Sequence, residues 1–547
     1  MRTSYLCAAI ISANIGFFTG AGIARAEDAL AGAENLPPSE QIHAIGNAAR
    51  ADGQRLSEPL LRPGRMLDLA EAQIGAHDSA GAQETLKDAR VLLDATNPMR
   101  VDYTVRMAKL LVAAGDLPSA HEMLDPRPFK GGLAEVLLSD GARALAKVGD
   151  FEGALALAKQ LPVSPDVLAD IAARQCHTGN GAGKTALAAA LDATRAADAK
   201  TQSHIARGVA YGMAACGDTA GAVALISELD PGMSARDLSA ASHWLTRLGD
   251  FSAAQAMTKA RVGTYDYAGL MELAWDQIDW GDFAAARSTL LRASAAAPIK
   301  DTGLLAATPG FSANMAKGDI FSIFGAQLAA KAFDDATRTA EGYDRMNGPS
   351  SLIHVVEAEV NQRSDADLER TLAVTIEKFR NLDDWPLAGL AGSPLRGRSY
   401  YFAELATVLG RAGYIDKARQ ALALALEFRH ETEIPPDGGG NFEGIAQAQA
   451  AVGDIDDALA TVAARNGRFT NTAYRKIAEE LAGRGDAKRA FEVLGMVRQP
   501  NDYDRRLVAM RFVEAGDDAT ALFLAQQMTR PDDRFEVLLR MLDSRRL

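Results

Sequence analysis

A glycine–aspartate step recurs along this chain with alanines at fixed distances on either side, and that frame restricts the fold to stacked pairs of helices. Its clearest copy is Lys147–Leu161, KVGDFEGALALAKQL. With Gly149 as position g, Asp150 stands at g+1, Phe151 at g+2 and Ala154 at g+5, and Ala142 lies back at g−7. The frame returns at Gly115, Gly181, Gly217, Gly249, Gly281, Gly413, Gly453, Gly485 and Gly516. All ten copies have alanine at g+5: Ala120, Ala154, Ala186, Ala222, Ala254, Ala286, Ala418, Ala458, Ala490 and Ala521. Eight have aspartate at g+1, with Ala182 and Tyr414 the exceptions. Eight have alanine at g−7, with Arg174 and Ser242 the exceptions.

Each position has a physical reason. Helices commonly end on a residue of positive φ, which glycine adopts without a Cβ clash. Aspartate next accepts the orphan N–H groups of the following helix and suits its positive end. Helices joined this tightly are antiparallel neighbours, and alanine at g−7 and g+5 lets them approach closely. Phe151, Ala154, Leu155, Ala158 and Leu161 then form one apolar stripe at helical spacing. One hairpin cannot bury both its faces, so each must stack on the next.

The ends and middle of the chain depart from this regularity. Arg2, the mostly apolar run Leu6–Gly22 and the A-x-A sequence Ala24-Arg25-Ala26 read as a secretory leader over residues 1–26. Residues 27–65 form a helical lead-in, where Pro37-Pro38 stops one segment and Ser39-Glu40-Gln41 caps a short helix. A repeat array covers 66–292. Its first hairpin is loose: Ala70 and Ala82 keep the alanine places, but His77 replaces the glycine. Residues 293–398 are irregular, with long connections at 295–314 and 381–398 of the kind that often carry function. A turn is expected at Lys331, with Ala336 at g+5, and one hairpin over Leu352–Phe379. A second array and a cap occupy 399–547, interrupted by the loop Pro435–Gly440. Aromatics make up only 6% of the chain and alanine is abundant, so the expectation is all-α.

The period near 34, the paired helices, Ala at g−7, Gly-Asp at the turn, an aromatic at g+2 and Ala at g+5 resemble the tetratricopeptide repeat (TPR). Trp280-Gly281-Asp282-Phe283-Ala284-Ala285-Ala286 and Val148-Gly149-Asp150-Phe151-Glu152-Gly153-Ala154 are the best matches. The departures are Gly183, Thr219 and Ala487 in the aromatic place and an irregular closing proline. The resemblance implies a right-handed α-solenoid of TPR-like hairpins, about 12 units, irregular in the middle. It also implies a scaffold that binds protein or peptide ligands in a concave groove. In exported bacterial members it often implies an envelope or secretion assembly.

Motifs that imitate chemistry give way to the repeat. Thr178–Thr185 (TGNGAGKT) approximates a phosphate-binding loop, but threonine takes the first glycine's place and a helix, not a strand, is expected before it. His430-Glu431-Thr432-Glu433-Ile434 opens like a zinc-protease helix, with isoleucine where the second histidine belongs. No nucleophile elbow or triad spacing is found. The expectation is therefore no enzyme, no cofactor and no metal. The formal charge of −13, two units more negative without Arg2 and Arg25, argues against nucleic acid as the main partner. No later stretch is long and apolar enough to span a membrane. The expected location is periplasmic or secreted. Polysaccharide binding, as part of polymer export, is the alternative; an α-solenoid domain of a cell-wall enzyme system is a further one.

Two cysteines follow the leader. Cys176 and Cys216 are either a disulfide or two free thiols; stacked first helices would place them roughly 6 Å apart by helix rise. By the resemblance, the binding face belongs to the first helix of each unit. Its g−6 column reads Lys109, Arg143, Gln175, Tyr211, His243 and Trp275. The cations would hold an anion, and the aromatics an apolar side chain or a sugar ring.

Overall fold

The computed structural model describes residues 36–96, 101–126, 132–161, 164–196, 199–229, 234–260, 267–296, 323–341, 348–362, 365–382, 397–429, 441–465 and 469–545. The leader, the greater part of both long connections, the Pro435–Gly440 loop and the His430–Ile434 segment lie outside the described residues. Twenty-eight helices and no strand occur among the described residues. The chain divides into two compact units, one made of residues up to Pro98 together with Asn501–Leu547, the other of Met99–Pro500.

The helices follow in order. The chain begins with α1 (Pro38–Gly53), α2 (Arg62–Gly75) and α3 (Ser79–Thr96). Next come α4 (Val101–Ala113), α5 (Leu117–Met123), α6 (Gly132–Lys147), α7 (Phe151–Ala158), α8 (Pro165–His177) and α9 (Ala182–Ala196). Then α10 (Ala199–Ala215), α11 (Thr219–Leu229), α12 (Ser234–Leu248), α13 (Phe251–Ala260), α14 (Tyr267–Asp279) and α15 (Phe283–Ala296). The middle holds α16 (Ile323–Ala329), α17 (Phe333–Glu341), α18 (Gly348–Gln362) and α19 (Asp365–Arg380). After it come α20 (Arg398–Arg411), α21 (Ile415–Glu427), α22 (Phe442–Val452), α23 (Ile455–Ala463), α24 (Thr470–Gly483) and α25 (Ala487–Leu494). The last are α26 (Asp502–Glu514), α27 (Asp518–Gln526) and α28 (Pro531–Asp543).

From α2 to α27 the helices pair into thirteen consecutive hairpins, each even-numbered helix first and each odd-numbered one second. The chain is therefore an all-α helical-repeat solenoid, with thirteen hairpins among the described residues where about a dozen units were expected. The hairpin expected over Leu352–Phe379 is α18–α19.

The turns follow the expected chemistry. Gly115, Gly149, Gly217, Gly249, Gly281, Gly413, Gly453, Gly485 and Gly516 have φ between 74° and 95°. His77 and Lys331 adopt the same left-handed conformation at φ 64° and 57°. After Gly149, the Asp150 N–H donates to the Leu145 carbonyl at 3.0 Å and its carboxylate accepts from the Gly153 N–H at 3.0 Å. Asp116, Asp218, Asp250, Asp282, Asp486 and Asp517 cap their helices in the same way. The alanines at g+5 are buried, nine of the ten with no exposed surface. The g−7 exception Ser242 is explained: its hydroxyl donates to the Ala254 carbonyl at 3.0 Å, so the close contact survives through a hydrogen bond.

One position of the frame is corrected. The positive φ in the third hairpin of the Met99–Pro500 unit belongs to Gly179, not Gly181. The Asn180 N–H donates to the Gln175 carbonyl at 2.8 Å, as Asp150 does to Leu145. With Gly179 as g, Ala172 takes g−7 and Asn180 takes the capping place at g+1, while Lys184 falls at g+5 and becomes the one exception to alanine there. The close approach is then made at Gly183, where a Cβ would meet the Ala172 carbonyl at 2.7 Å.

Gly249 offers a clean test of the turns. A Cβ there would meet no atom within 4 Å, so substitution acts on the backbone alone. Gly249→Val is expected to destabilise its hairpin by about 1–2 kcal/mol through the left-handed φ of 88°. Circular dichroism melts that leave the variant unchanged would place the turn elsewhere.

In the unit built from both ends of the chain, α28 packs on α26 as a further first helix, and α1 packs against α28 in the place of its second helix. The last and first helices thus make one repeat whose halves are far apart in sequence. Inside it, Arg534 (3% exposed) meets Asp52 (0%) with two hydrogen bonds, Nε to Oδ2 at 2.6 Å among them. Burial pushes the Asp52 carboxyl above its ordinary value, and the Arg534 guanidinium partly offsets this. Phe535 is buried beside them with the Arg65 guanidinium over its ring at 5.3 Å. Gly53 sits where a Cβ would meet the Met66 sulfur at 2.5 Å.

Candidate functional site

The first-helix column lies entirely in the Met99–Pro500 unit. Lys109 is exposed on α4. Arg143 on α6 reaches Asp166 at the start of α8, Nη2 to Oδ2 at 2.6 Å, so its charge is spent joining neighbouring hairpins. Gln175 leaves the column: with Gly179 as g it falls at g−4, and Ala173 takes g−6. Gln175 is accordingly buried, at 2% exposure, with its Oε1 unpartnered.

The remaining three are held by the stacking of α10, α12 and α14. Tyr211 is buried, and burial raises its hydroxyl above the ordinary value. Its ring meets Trp244 edge-on, with centroids 5.9 Å apart. His243 Nδ1 donates to the buried Asp276 carboxylate at 2.8 Å. That hydrogen bond raises the imidazole above its ordinary value, while burial raises Asp276. Trp275 is half-buried and packs against the core around Leu270, Met271 and Ala326, with its Nε1 buried and unpartnered. Trp280 Nε1 donates to Thr246 Oγ1 at 2.7 Å, tying α14 to α12 once more.

Sequence reasoning missed Trp244, which stands at g−5, one step round the helix from His243. It is 38% exposed, and its ring packs edge-on with Tyr211. A search of g−5 as well as g−6 would have found it. The structure brings Tyr211 to Trp244 and His243 to Asp276; it does not gather the six column residues into one pocket.

Further along, the first-helix face ties itself together. Arg411 on α20 donates to both Glu480 oxygens on α24, Nε at 3.0 Å to Oε2, passing across α22. Gln447 on α22 donates to the same carboxylate at 2.9 Å. Glu480 is 2% exposed, so side chains of the protein itself occupy this stretch of the face.

The cysteine question is answered by geometry. Cys176 on α8 and Cys216 after α10 form a disulfide with Cα atoms 5.0 Å apart. The close stacking of α8 and α10 explains the distance: Gly212 on α10 sits where a Cβ would meet the Ala169 carbonyl of α8 at 2.8 Å. The phosphate-loop imitation follows directly on α8, a helix where a strand would be needed, and the Asn180 carboxamide oxygen already accepts from the Ala182 N–H at 3.0 Å. No group of three or more potential metal ligands occurs among the described residues, and no described helix is long and apolar enough to cross a membrane.

No protein-family model and no curated protein matches the sequence. Among solved structures, the chain is similar to the pentatricopeptide repeat protein PPR10 from maize. The identity is 13% over 98% of this chain and 78% of that one, with a TM-score of 0.26. It is similar to the human IFIT1 dimer with PPP-AAAA at 13% identity, over 91% of this chain and 98% of that one, with a TM-score of 0.20. A circular tandem repeat protein with novel repeat topology matches at 13% identity over 95% of this chain and 96% of that one, with a TM-score of 0.12. Likenesses at these scores identify no ligand and no mechanism.

Proposed function

We propose that this chain is an exported, non-catalytic scaffold that binds a protein or peptide partner on the first-helix face of α10–α14, within a bacterial envelope or secretion assembly. The observation that carries the binding reading is Trp244, half in solvent and braced edge-on by buried Tyr211. A rigid aromatic anchor beside a polar rim is the usual core of a protein interface. His243, partly exposed and held by the buried Asp276, supplies polar character next to it. The acidic charge of the chain favours a protein over nucleic acid. A polysaccharide groove would be rich in open aromatic faces; Tyr211 is buried and Trp275 is packed into the core, which leaves Trp244 as the exposed one of the three and favours a peptide.

The Cys176–Cys216 disulfide supports export, because such bonds persist in oxidising compartments. The leader-like first 26 residues point the same way.

The test is capture from an envelope extract by the protein purified from the exported fraction, where its first residue is expected to be Glu27. Trp244→Ala should weaken capture of the specific partner at least tenfold while circular dichroism stays unchanged, as expected for an anchor worth more than 1–2 kcal/mol. A folded variant that retains every partner at wild-type affinity would remove this face as the site. A captured polysaccharide would decide against the protein reading.

A further inference from the structure

Three hairpins place a polar pair between their two helices instead of an apolar one. Gln73 Oε1 accepts from Thr85 Oγ1 at 2.7 Å, and Gln449 Oε1 accepts from Thr461 Oγ1 at 2.8 Å. The third pair is Glu359 and Thr371, again 2.8 Å apart. In all three the partners are 12 residues apart in sequence. The slot is thus one place in the repeat, and Glu359 puts a carboxyl where the other two hairpins have an amide.

The surroundings of Glu359 suit a neutral group. It has no exposed surface, Thr371 is 2% exposed, and Oε2 is buried without a hydrogen-bond partner. Asp367 and Arg370 face it from α19, and Asp334 from α17. Arg370 donates to both Asp334, at 2.6 Å, and Asp367, at 2.9 Å, so the nearest cation is already balanced by two carboxylates. From α20, Phe402 and Leu405 join the apolar core that surrounds Val355, Val356 and Val360 of α18. An ionised carboxylate here would keep one hydrogen bond and lose the strong hydration of a charge, a far larger cost than the neutral acid, isosteric with glutamine, bears on burial.

We propose that Glu359 is a proton-dependent packing residue: neutral, it holds the α18–α19 hairpin closed as glutamine does elsewhere, and ionised, it loosens that hairpin. Burial raises its value from 4.5 to about 7, and Asp367 and Asp334 add to the rise. Because the folded value lies above the unfolded one, the folded state binds more protons between them. The stability of the hairpin is therefore full below about pH 4.5, falls as pH rises to about 7, and stays at the lower level above.

Amide hydrogen exchange at pH 5 and pH 8, corrected for intrinsic rates, reads this directly in the full chain. The opening constant of α18 and α19 is expected to rise between roughly tenfold and a hundredfold from pH 5 to pH 8. Hairpin α2–α3, which holds the Gln73–Thr85 pair, serves as the internal control and should not follow. Glu359→Gln should abolish the pH response of α18–α19 and keep them protected at pH 8. Equal protection at both pH values in the wild type would overturn the proposal, as would an undiminished response in a folded Glu359→Gln variant. Should that variant fail to fold, the wild-type comparison of α18–α19 with α2–α3 decides alone.

Discussion

Replacing Arg534 with methionine is expected to destabilise the repeat formed by α28 and α1 by about 3–5 kcal/mol at pH 7. Asp52 would remain with no exposed surface and without the guanidinium that binds it, leaving Arg55 as the other cation acting on it. It would then have to take up a proton, and neutralising an ordinary carboxylate of value 3.8 at pH 7 costs about 4 kcal/mol. The two estimates agree because proton uptake caps the penalty. The loss should shrink as pH falls towards 4, where the unfolded carboxylate is itself protonated. Adding Asp52→Leu should recover most of the stability, since an apolar pair of similar volume needs no compensation. Repeat arrays need not unfold in one step, so exchange protection of α1 and α28 is the suitable readout. A single Arg534→Met variant within about 1 kcal/mol of wild type at pH 7 would mean that Asp52 is solvated.

Ala254→Leu is the second large effect, at about 1–3 kcal/mol. Ala254 has no exposed surface and faces α12 across its hairpin, where Ser242 donates to the Ala254 carbonyl. Three added carbons have no room unless the helices separate, and separation breaks that hydrogen bond as well. The loss should be local, seen in α12 and α13 and not in distant hairpins. Unchanged melting and exchange would mean that alanine at g+5 does not set the helix spacing.

Much of the fold was legible because hairpin chemistry is local. A left-handed residue, an acidic cap and two facing alanines fit within about a dozen residues, so even His77 and Lys331 were found as turns without a glycine. The α8–α9 turn was misplaced because Gly179 and Gly181 both precede a helix start, and only backbone hydrogen bonding separates them. That two-residue error put Gln175 into the solvent column when it is buried between helices. Trp244 was missed because one residue along a helix is about 100° around it, a distinction too fine for a frame read by turns. The disulfide stayed open in the sequence because stacking distance, not spacing, decides it. The Asp52–Arg534 pair lies 482 residues apart, beyond any periodic signal.

The claim that most of this rests on is that α28 and α1 complete one repeat. Ser57, just after α1, donates its hydroxyl to the Asp532 carboxylate at 3.1 Å, at the start of α28. Cysteines at these two positions, Ser57→Cys with Asp532→Cys, should join within a single chain under mild oxidation. Peptide mass mapping of the monomer should then recover the 57–532 cross-link beside the native 176–216 bridge. A monomer with both new thiols free, or cross-links only between chains, would contradict the shared repeat.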